Sequence, residues 1–546
     1  MHDVPASRRI ALAVLAFSGL VAIALLAVSF VPSAALTSRL LGAAGEARSG
    51  ANTQELATYL DVRLRLSAGL VGALAAGLWL LRGALEELLG DVLRGIAWPR
   101  LRMSTLGLVG VPALVAIGLR IAFLGQPMRY DEALTFNEFA SRPLYYGLSF
   151  YPDPNNHLLN TLLMHLSFIA LGNQPWVLRL PAFVSGVLLV PATYGLARLL
   201  YGPSAAVLAA TLVGVSSYVV EYSTNARGYS LQVLCFVVLL SLVIVAVRRQ
   251  RLGALLVAAV VGALGAYTLP TMLYGVAIAA AWALLQRQLF WKHVAASGII
   301  LGLVTTFLYL PVLVISGADK LVSNRFVVPL ALPDLLPELG RTLARTWAFW
   351  NRDVPWPLAA LLVLGFAVTI FFELRARRVP LGLLAPLACL ALVVLQRVAP
   401  FERVWLFLLP LYFAIAAAGL TRFVDGRLLA GIFGVVVGYF TLTSGSILAS
   451  TETGAFPEAE AVTRTLAPRL ARDDAVMTDL PASLPELQYY FPRYGLATDV
   501  LVRPPSDAHN LWLIAPPGSR PQQPGFPDIL EVQRLSGASV WELKRS

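Results

Sequence analysis

Residues 229–251 read YSLQVLCFVVLLSLVIVAVRRQR, an apolar run that ends in three arginines. A helix of about 20 apolar residues is long enough to cross the hydrocarbon core of a bilayer. Arginines directly after such a helix mark its cytoplasmic end, because positive charge is enriched in cytoplasmic loops. The stretch therefore predicts a transmembrane helix over 229–247, with Arg248, Arg249 and Arg251 in the cytoplasm.

The whole chain has the composition of a membrane protein. Of its 546 residues 58% are hydrophobic and 13% are charged, whereas a soluble domain has about 25% charged residues. The net charge of +11 comes from short arginine clusters between apolar runs, so we assign it to membrane topology and expect no nucleic-acid partner. Cys235 and Cys389 each lie in an apolar run, which predicts packing and neither a disulfide framework nor a metal cluster.

Apolar runs of similar length recur along the chain, and we predict about 13 transmembrane helices from them. The predicted spans are 10–32, 65–82, 103–124, 180–199, 204–220, 229–247, 253–269, 272–286, 296–315, 357–373, 381–396, 404–420 and 429–447.

Arginine placement orients these helices. Arg8 and Arg9 place the N-terminus in the cytoplasm, and the later clusters alternate consistently if all of them are cytoplasmic. This alternation requires the short stretch 156–171 to be an interfacial or re-entrant helix; the alternative is a true span with one helix miscounted elsewhere. We therefore predict a multi-pass protein of the cytoplasmic (inner) membrane, with segments 33–64, 125–179, 316–356 and 450–546 outside.

Three parts of the chain follow from this topology. Residues 1–101 form two extra N-terminal helices and a cytoplasmic linker, 102–449 a transmembrane core with an outer loop at 125–179, and 450–546 a small extracytoplasmic α/β domain. In the last part we predict strands at Ala475–Thr478 and Leu511–Ile514 and helices at Glu458–Ala471 and Leu484–Tyr490. No motif in this tail carries recognisable chemistry, so we expect a loosely packed appendage without a catalytic part.

An adjacent acid pair, Asp131 and Glu132, follows the 103–124 span directly. The simplest interpretation is a helix N-terminus, where carboxylates are favoured. At the membrane edge, however, a carboxylate reaches both an aqueous acceptor and a lipid headgroup, and it can remove a proton from an attacking hydroxyl.

The segment YPDPNNH, residues 151–157, adds Asp153, Asn156 and His157 to the same outer loop. A Pro-Asp turn before a helix explains these residues without any function. They are also candidate substrate-binding residues, and a divalent metal held by Asp131, Asp153 and His157 is an alternative that meets no metal-spacing rule.

Two arginines lie on the outer side, against the topological trend. Arg227 lies with Tyr229 in the segment EYSTNARGYS, and Arg403 lies with Glu402 in the segment APFERVW; all four are candidate substrate-binding residues. Without any function, Arg227 would pair with Glu221, and Arg403 would snorkel at the interface beside Trp405. The functional interpretation is a pair of phosphate contacts, to which guanidinium geometry is suited.

Taken together, these motifs resemble the GT-C glycosyltransferases of the protein mannosyltransferase and aminoarabinose transferase type. The resemblance rests on the Asp-Glu pair, the Asn-Asn-His-Leu-Leu helix start and four short segments over about 103–447: Val177–Pro181, Asn225–Leu231, Ala266–Thr271 and Glu402–Trp405. It departs from the family at 155–157, where Asn-Asn-His stands in place of the common His-Pro-Pro.

The resemblance implies an inverting transfer of a sugar from a polyprenyl-phosphate donor to a lipid, glycan or protein acceptor at the outer face. Asp131 matches the catalytic acidic position, with Glu132 beside it, and no cofactor is expected. The alternative function is a flippase or transporter for lipid-linked sugars. It is disfavoured because transporters place their ionisable residues at the bilayer midplane rather than at one edge.

Overall fold

The computed structural model describes residues 5–33, 35–37, 50–95, 103–152, 154–286, 291–322, 328–423, 426–452, 454, 456–480, 483–519 and 523–545. In chain order the helices are α1 (Ala6–Val28), α2 (Gly50–Leu80), α3 (Arg82–Leu93), α4 (Met103–Leu124), α5 (Tyr130–Thr135), α6 (Leu144–Ser149), α7 (Leu158–Leu171), α8 (Pro175–Leu178), α9 (Leu180–Leu200), α10 (Pro203–Val215), α11 (Ser217–Ser223), α12 (Tyr229–Arg249), α13 (Gly253–Thr268), α14 (Met272–Leu285), α15 (Trp291–Ile315), α16 (Asp319–Val322), α17 (Leu332–Trp350), α18 (Trp356–Arg375), α19 (Leu381–Gln396), α20 (Leu409–Leu420), α21 (Gly426–Thr443), α22 (Ala459–Leu466) and α23 (Leu484–Tyr490). A π-helical turn, Phe136–Ala140, follows α5, and a 3-10 turn, Glu402–Leu408, precedes α20.

The predicted class, a polytopic helical membrane protein, is confirmed. Within the described residues seven helices are long and apolar enough to cross a membrane, and the α10–α11 pair makes an eighth if it is one span. Each of the 13 predicted spans falls on helical residues, but several lie on apolar helices with a length of only 10–17 residues, so the number that cross stays a prediction. One predicted span, 204–220, is broken: α10 and α11 meet at Ser216 with a bend of 61°.

Two of the predicted non-spanning segments, 33–64 and 156–171, are wholly or partly helical in the structure. The polar segment 33–64 was expected to lie outside, yet α2 is helical from Gly50 and its apolar window begins at Thr58. The stretch 156–171 is the helix α7, whose 14 residues span about 21 Å, less than the hydrocarbon thickness of about 30 Å. The predicted span α14 is equally short, so whether α7 crosses the membrane stays a prediction.

Helices α18 and α20 approach each other on a pair of glycines. Gly365 and Gly419 lie back to back, and a Cβ atom on either would overlap the backbone of the other helix. Across the same contact the Thr369 hydroxyl donates a hydrogen bond to the carbonyl of Ile415 over 2.8 Å. Small residues are used in this way where membrane helices must pack closely.

We expect Gly419→Val to lower the free energy of unfolding by about 3 kcal/mol, because the added side chain forces the two helices apart. The matched control is Gly298→Val in α15, where an added Cβ meets nothing within 4 Å. Thermal unfolding of the purified variants in detergent measures the difference. Equal unfolding temperatures for the two variants would show that the glycine contact is dispensable.

The C-terminal part is an α/β domain, as predicted. Its sheet comprises β1 (Ala475–Thr478), β2 (Asn510–Ala515), β3 (Asp528–Arg534) and β4 (Ser539–Lys544) in the order β1-β2-β4-β3. β1 pairs with β2 in parallel, and the other pairs are antiparallel. Strands β3 and β4 were not predicted, since only short apolar segments were taken as strands. The domain boundaries at 101 and 449 stay predictions.

The expectation of a loosely packed appendage is wrong. The C-terminal domain shares one apolar core with the loop after α4, in which Met128, Ala133 and Phe136 pack with Leu487 and Tyr489. Shared apolar burial of this kind fixes the domain against the bundle. We call the end of the helix bundle that carries segment 125–179 and this domain the loop end.

Candidate functional site

The loop end begins with the short helix α5, which carries the acid pair. Its N-cap residue is Arg129, and Glu132 in the first turn accepts a hydrogen bond from the Arg129 amide over 3.0 Å. Carboxylates are stabilised there by unpaired amides and the helix dipole. Asp131 and Glu132 are adjacent, but successive helical residues are rotated by about 100°, so their carboxylates enter different surroundings.

Asp131 lies between two arginines. Its side chain is 14% exposed, and its Oδ2 atom lies 3.4 Å from Nη1 of Arg403 and 4.0 Å from Nη2 of Arg227. Arg227 lies between α11 and α12, and Arg403 lies in the 3-10 turn before α20. The three residues that the sequence analysis placed on one side of the membrane therefore form one cluster.

Arg227 is held firmly in this cluster. It is 2% exposed, and its Nη1 donates to Thr135 Oγ1 over 2.7 Å and to the carbonyl of Asn155 over 2.9 Å. Its Nη2 lies 3.1 Å from Nε2 of His157. These contacts fix the direction of the guanidinium group toward Asp131.

The alternative pairing of Arg227 with Glu221 is wrong. Glu221 is fully buried and pairs instead with Arg129 over 2.8 Å and with Arg352 over 2.5 Å. Arg129 also donates to the carbonyls of Ile447 and Ser450, over 2.7 and 3.1 Å. This arginine therefore ties the chain after the last membrane helix to the start of the loop.

His157 is buried beside Arg227. Its Nδ1 accepts a hydrogen bond from the Gly228 amide over 2.8 Å, and its ring packs edge-on against Tyr229 with centroids 5.1 Å apart. Burial, followed by the charges of Arg227 and Arg403, holds the pKa of His157 well below its ordinary value. A Cβ on residue 228 would overlap His157 and Thr268, so glycine is required for this close approach.

Glu132 occupies a closed ion pair rather than the Asp131 cluster. It is fully buried, and its two oxygens accept from Nε and Nη2 of Arg179 over 2.8 and 2.6 Å and from the amide of Ala226 over 2.5 Å. Burial alone would raise the pKa of Glu132, but the Arg179 charge and these hydrogen bonds outweigh it and hold the pKa below the ordinary value. Arg179 also binds the carbonyls of Leu124 and Gln126, which fixes the loop start.

The other predicted site residues lie around this cluster. Asn156 is 1% exposed and donates to the carbonyls of Gly147 and Phe150, so it anchors the loop. Glu402 pairs with Arg345 over 3.3 Å. Asp153 lies outside the described residues.

A metal site that includes His157 does not fit the described residues. Its Nδ1 accepts from Gly228 and its Nε2 faces the Arg227 guanidinium group, so neither ring nitrogen offers a free lone pair to a cation. Among the described parts of the chain no three His, Cys, Asp or Glu side chains converge in a way that would hold a metal ion.

The sequence analysis missed polar residues that reach the site from the C-terminal part. Glu452 accepts hydrogen bonds from the hydroxyls of Tyr222 and Tyr218, over 2.6 and 3.2 Å. Burial, together with the charge of Glu221, raises the pKa of Glu452 to about 7. The second residue is Glu486 in α23, which is fully buried near the acid pair. A single carboxylate in this short helix gave no signal in the sequence.

Comparisons with known proteins agree on the architecture. Residues 157–315 match a family model described as dolichyl-phosphate-mannose-protein mannosyltransferase. ArnT from Cupriavidus metallidurans in the apo state is similar in structure, with a TM-score of 0.55 at 12% sequence identity over 80% of this chain and 98% of that chain. The same protein bound to undecaprenyl phosphate gives a TM-score of 0.51 at the same identity and coverage. No curated protein matches the sequence. At the level of the fold, the resemblance to the GT-C glycosyltransferases is confirmed.

Proposed function

We propose that this protein is a membrane glycosyltransferase that moves a sugar from a polyprenyl-phosphate donor to a hydroxyl acceptor. The observation that carries the proposal is the position of Asp131 between Arg227 and Arg403 at the loop end. Two guanidinium groups suit the phosphate of a lipid-linked sugar, and a carboxylate beside them suits the acceptor hydroxyl. The ArnT structure bound to undecaprenyl phosphate and the description of the matching family model support this class of donor.

The proposed reaction is a single displacement. The acceptor oxygen attacks the anomeric carbon while Asp131 takes the hydroxyl proton, and a new carbon–oxygen bond forms. The bond between the anomeric carbon and the phosphate oxygen breaks, and polyprenyl phosphate leaves. Attack from the face opposite the phosphate predicts inversion at that carbon. Arg227 and Arg403 stabilise the negative charge that develops on the leaving phosphate.

Glu132 has a positioning role in this proposal and does not touch the reacting atoms. Its ion pair with Arg179 is closed on all sides, and its hydrogen bonds connect α5 to the amide of Ala226, next to Arg227 in the chain. The pair thus fixes Asp131 relative to one of the two phosphate-binding arginines. By the arginine topology, we place the site and the C-terminal domain at the extracytoplasmic face of the inner membrane.

A reconstitution experiment tests the proposal. Purified protein in lipid vesicles is given radiolabelled undecaprenyl-phosphate sugars together with a cell-envelope extract. We expect labelled acceptor and an equal amount of undecaprenyl phosphate to form. Movement of the labelled lipid between leaflets without either product would instead establish the flippase, which the broken α10–α11 span would suit.

We expect Arg403→Gln and Arg227→Gln each to weaken binding of undecaprenyl phosphate by about 10- to 100-fold, because each removes a charge-assisted hydrogen bond to the phosphate. Arg345→Gln is the matched control, since Arg345 is 61% exposed and pairs with Glu402 instead of Asp131. Binding is measured by fluorescence titration in detergent. Wild-type affinity in both site variants would remove the arginines from the phosphate site.

A further inference from the structure

Glu486 is a buried carboxyl group near Asp131 and Glu132 that has no role in the reaction as described so far. It is fully buried, and among the described residues no other residue donates a hydrogen bond to its oxygens; its own backbone amide is the one donor that acts on the carboxyl group. The charged groups that act on it are the carboxylates of Glu132 and Asp131. A buried carboxyl group that no other residue satisfies destabilises a protein, so its presence near Asp131 calls for a ligand.

The helix that carries Glu486 is seated on the acid-bearing segment by several contacts. The Asn137 side chain donates to the carbonyl of Pro485 over 2.9 Å, and the amide of Met128 donates to the Tyr490 hydroxyl over 3.1 Å. The rings of Phe136 and Tyr489 pack edge to face with centroids 5.6 Å apart. These contacts fix the helix that carries Glu486 against the segment that carries the acid pair. The position of Glu486 near α5 is therefore set by the packing of its helix.

The protonation state of Glu486 defines what it can bind. Burial first, and then the charges of Glu132 and Asp131, raise its pKa to about 8. At neutral pH the group is a carboxylic acid, which donates one hydrogen bond and accepts others. Such a group matches the hydroxyls of an acceptor. The carboxylates of Asp131 and Glu132 would repel an anionic acceptor group, and a cationic group would favour the ionised form of Glu486.

We propose that Glu486 binds the acceptor, with its carboxyl group hydrogen-bonded to a hydroxyl next to the one that Asp131 deprotonates. This inference rests on the proposed glycosyl transfer and deepens it, because it assigns part of the acceptor site to the C-terminal domain. The acceptor is then a neutral, hydroxyl-bearing group, either of a glycolipid or of a protein serine or threonine.

The test separates acceptor binding from donor binding. Full-length Glu486→Gln and Glu486→Met proteins are assayed with labelled undecaprenyl-phosphate sugar and, in separate arms, a chloroform–methanol extract of the envelope or its delipidated protein fraction. Glutamine keeps a donor and an acceptor, so we expect the half-saturating amount of acceptor to rise by about 10-fold or less; methionine keeps neither, and transfer falls by about 100-fold. The control is Asp528→Asn on the exposed edge of the sheet.

Two further readouts distinguish a binding role from a structural one. Both Glu486 variants keep wild-type affinity for undecaprenyl phosphate and unfold at or above the wild-type temperature, since an unpaired buried acid has been removed. In the wild type the acceptor half-saturation worsens as the pH rises through about 8, where Glu486 ionises beside Asp131 and Glu132, whereas Glu486→Gln shows no such change.

Each outcome decides the question. Wild-type acceptor saturation in Glu486→Met, or a parallel loss of undecaprenyl phosphate binding and thermal stability, overturns the role of Glu486 while transfer by the wild type still supports the proposed function. If the wild-type protein transfers sugar to neither fraction, the proposed function fails and the acceptor role falls with it.

Discussion

Asp131→Asn protein transfers sugar at least about 10³-fold more slowly than wild type, because an amide cannot take the proton of the attacking hydroxyl. The same variant binds undecaprenyl phosphate as tightly as wild type or a few-fold more tightly. The reason is geometric: the Asp131 carboxylate contacts Arg403 and Arg227 and competes with a phosphate for them. Loss of turnover without loss of lipid binding is the signature of a base.

The control for this variant is Asp334→Asn, an exposed acid in the first turn of α17 that contacts nothing in the cluster. Initial rates with radiolabelled donor and titrations with undecaprenyl phosphate are measured on both proteins. Transfer by Asp131→Asn at the wild-type rate would remove Asp131 from the base role. A parallel loss of transfer and lipid binding would assign Asp131 to positioning of the arginines.

Glu132→Gln and Arg179→Met each lower the free energy of unfolding by about 3 to 5 kcal/mol, because each leaves the other member of a fully buried ion pair without its counter-charge. The double variant Glu132→Leu/Arg179→Met recovers most of that loss, since no buried charge remains. Thermal unfolding in detergent gives the ranking. The contribution of Glu132 is complete above its ordinary pKa of 4.5 and disappears as the pH falls below it, since the folded-state pKa is depressed.

The matched control is Glu402→Gln, which breaks the pair with the exposed Arg345 and costs about 1 kcal/mol or less. This set also decides between the two roles available to Glu132. If Glu132→Gln is as stable as wild type but has lost transfer, Glu132 is a catalytic residue and not a positioning residue.

The sequence predicted the helices well because apolar length is a local property. Every predicted span falls on a helix, and Ala475–Thr478 and Leu484–Tyr490 match their observed bounds. The break at Ser216 was missed, since Ser216 and Ser217 interrupt the apolar run 204–220 only briefly. Strands β3 and β4 were missed because their residues are mixed in polarity, and their pairing is with other strands of the domain.

By itself the sequence determined the class of the protein and the end of the bundle at which Asp131, Arg227 and Arg403 lie. The length of an apolar run and the order of the arginine clusters are properties of consecutive residues, and the bilayer acts on both directly. Only the tertiary structure decided the partners: Glu132 with Arg179, 47 residues away; Asp131 with Arg227, 96 residues away; and Asp131 with Arg403, 272 residues away. Adjacent acids separated into a buried pair and a partly exposed cluster because helical rotation directs them differently and the folded chain supplies one fully desolvated counter-charge.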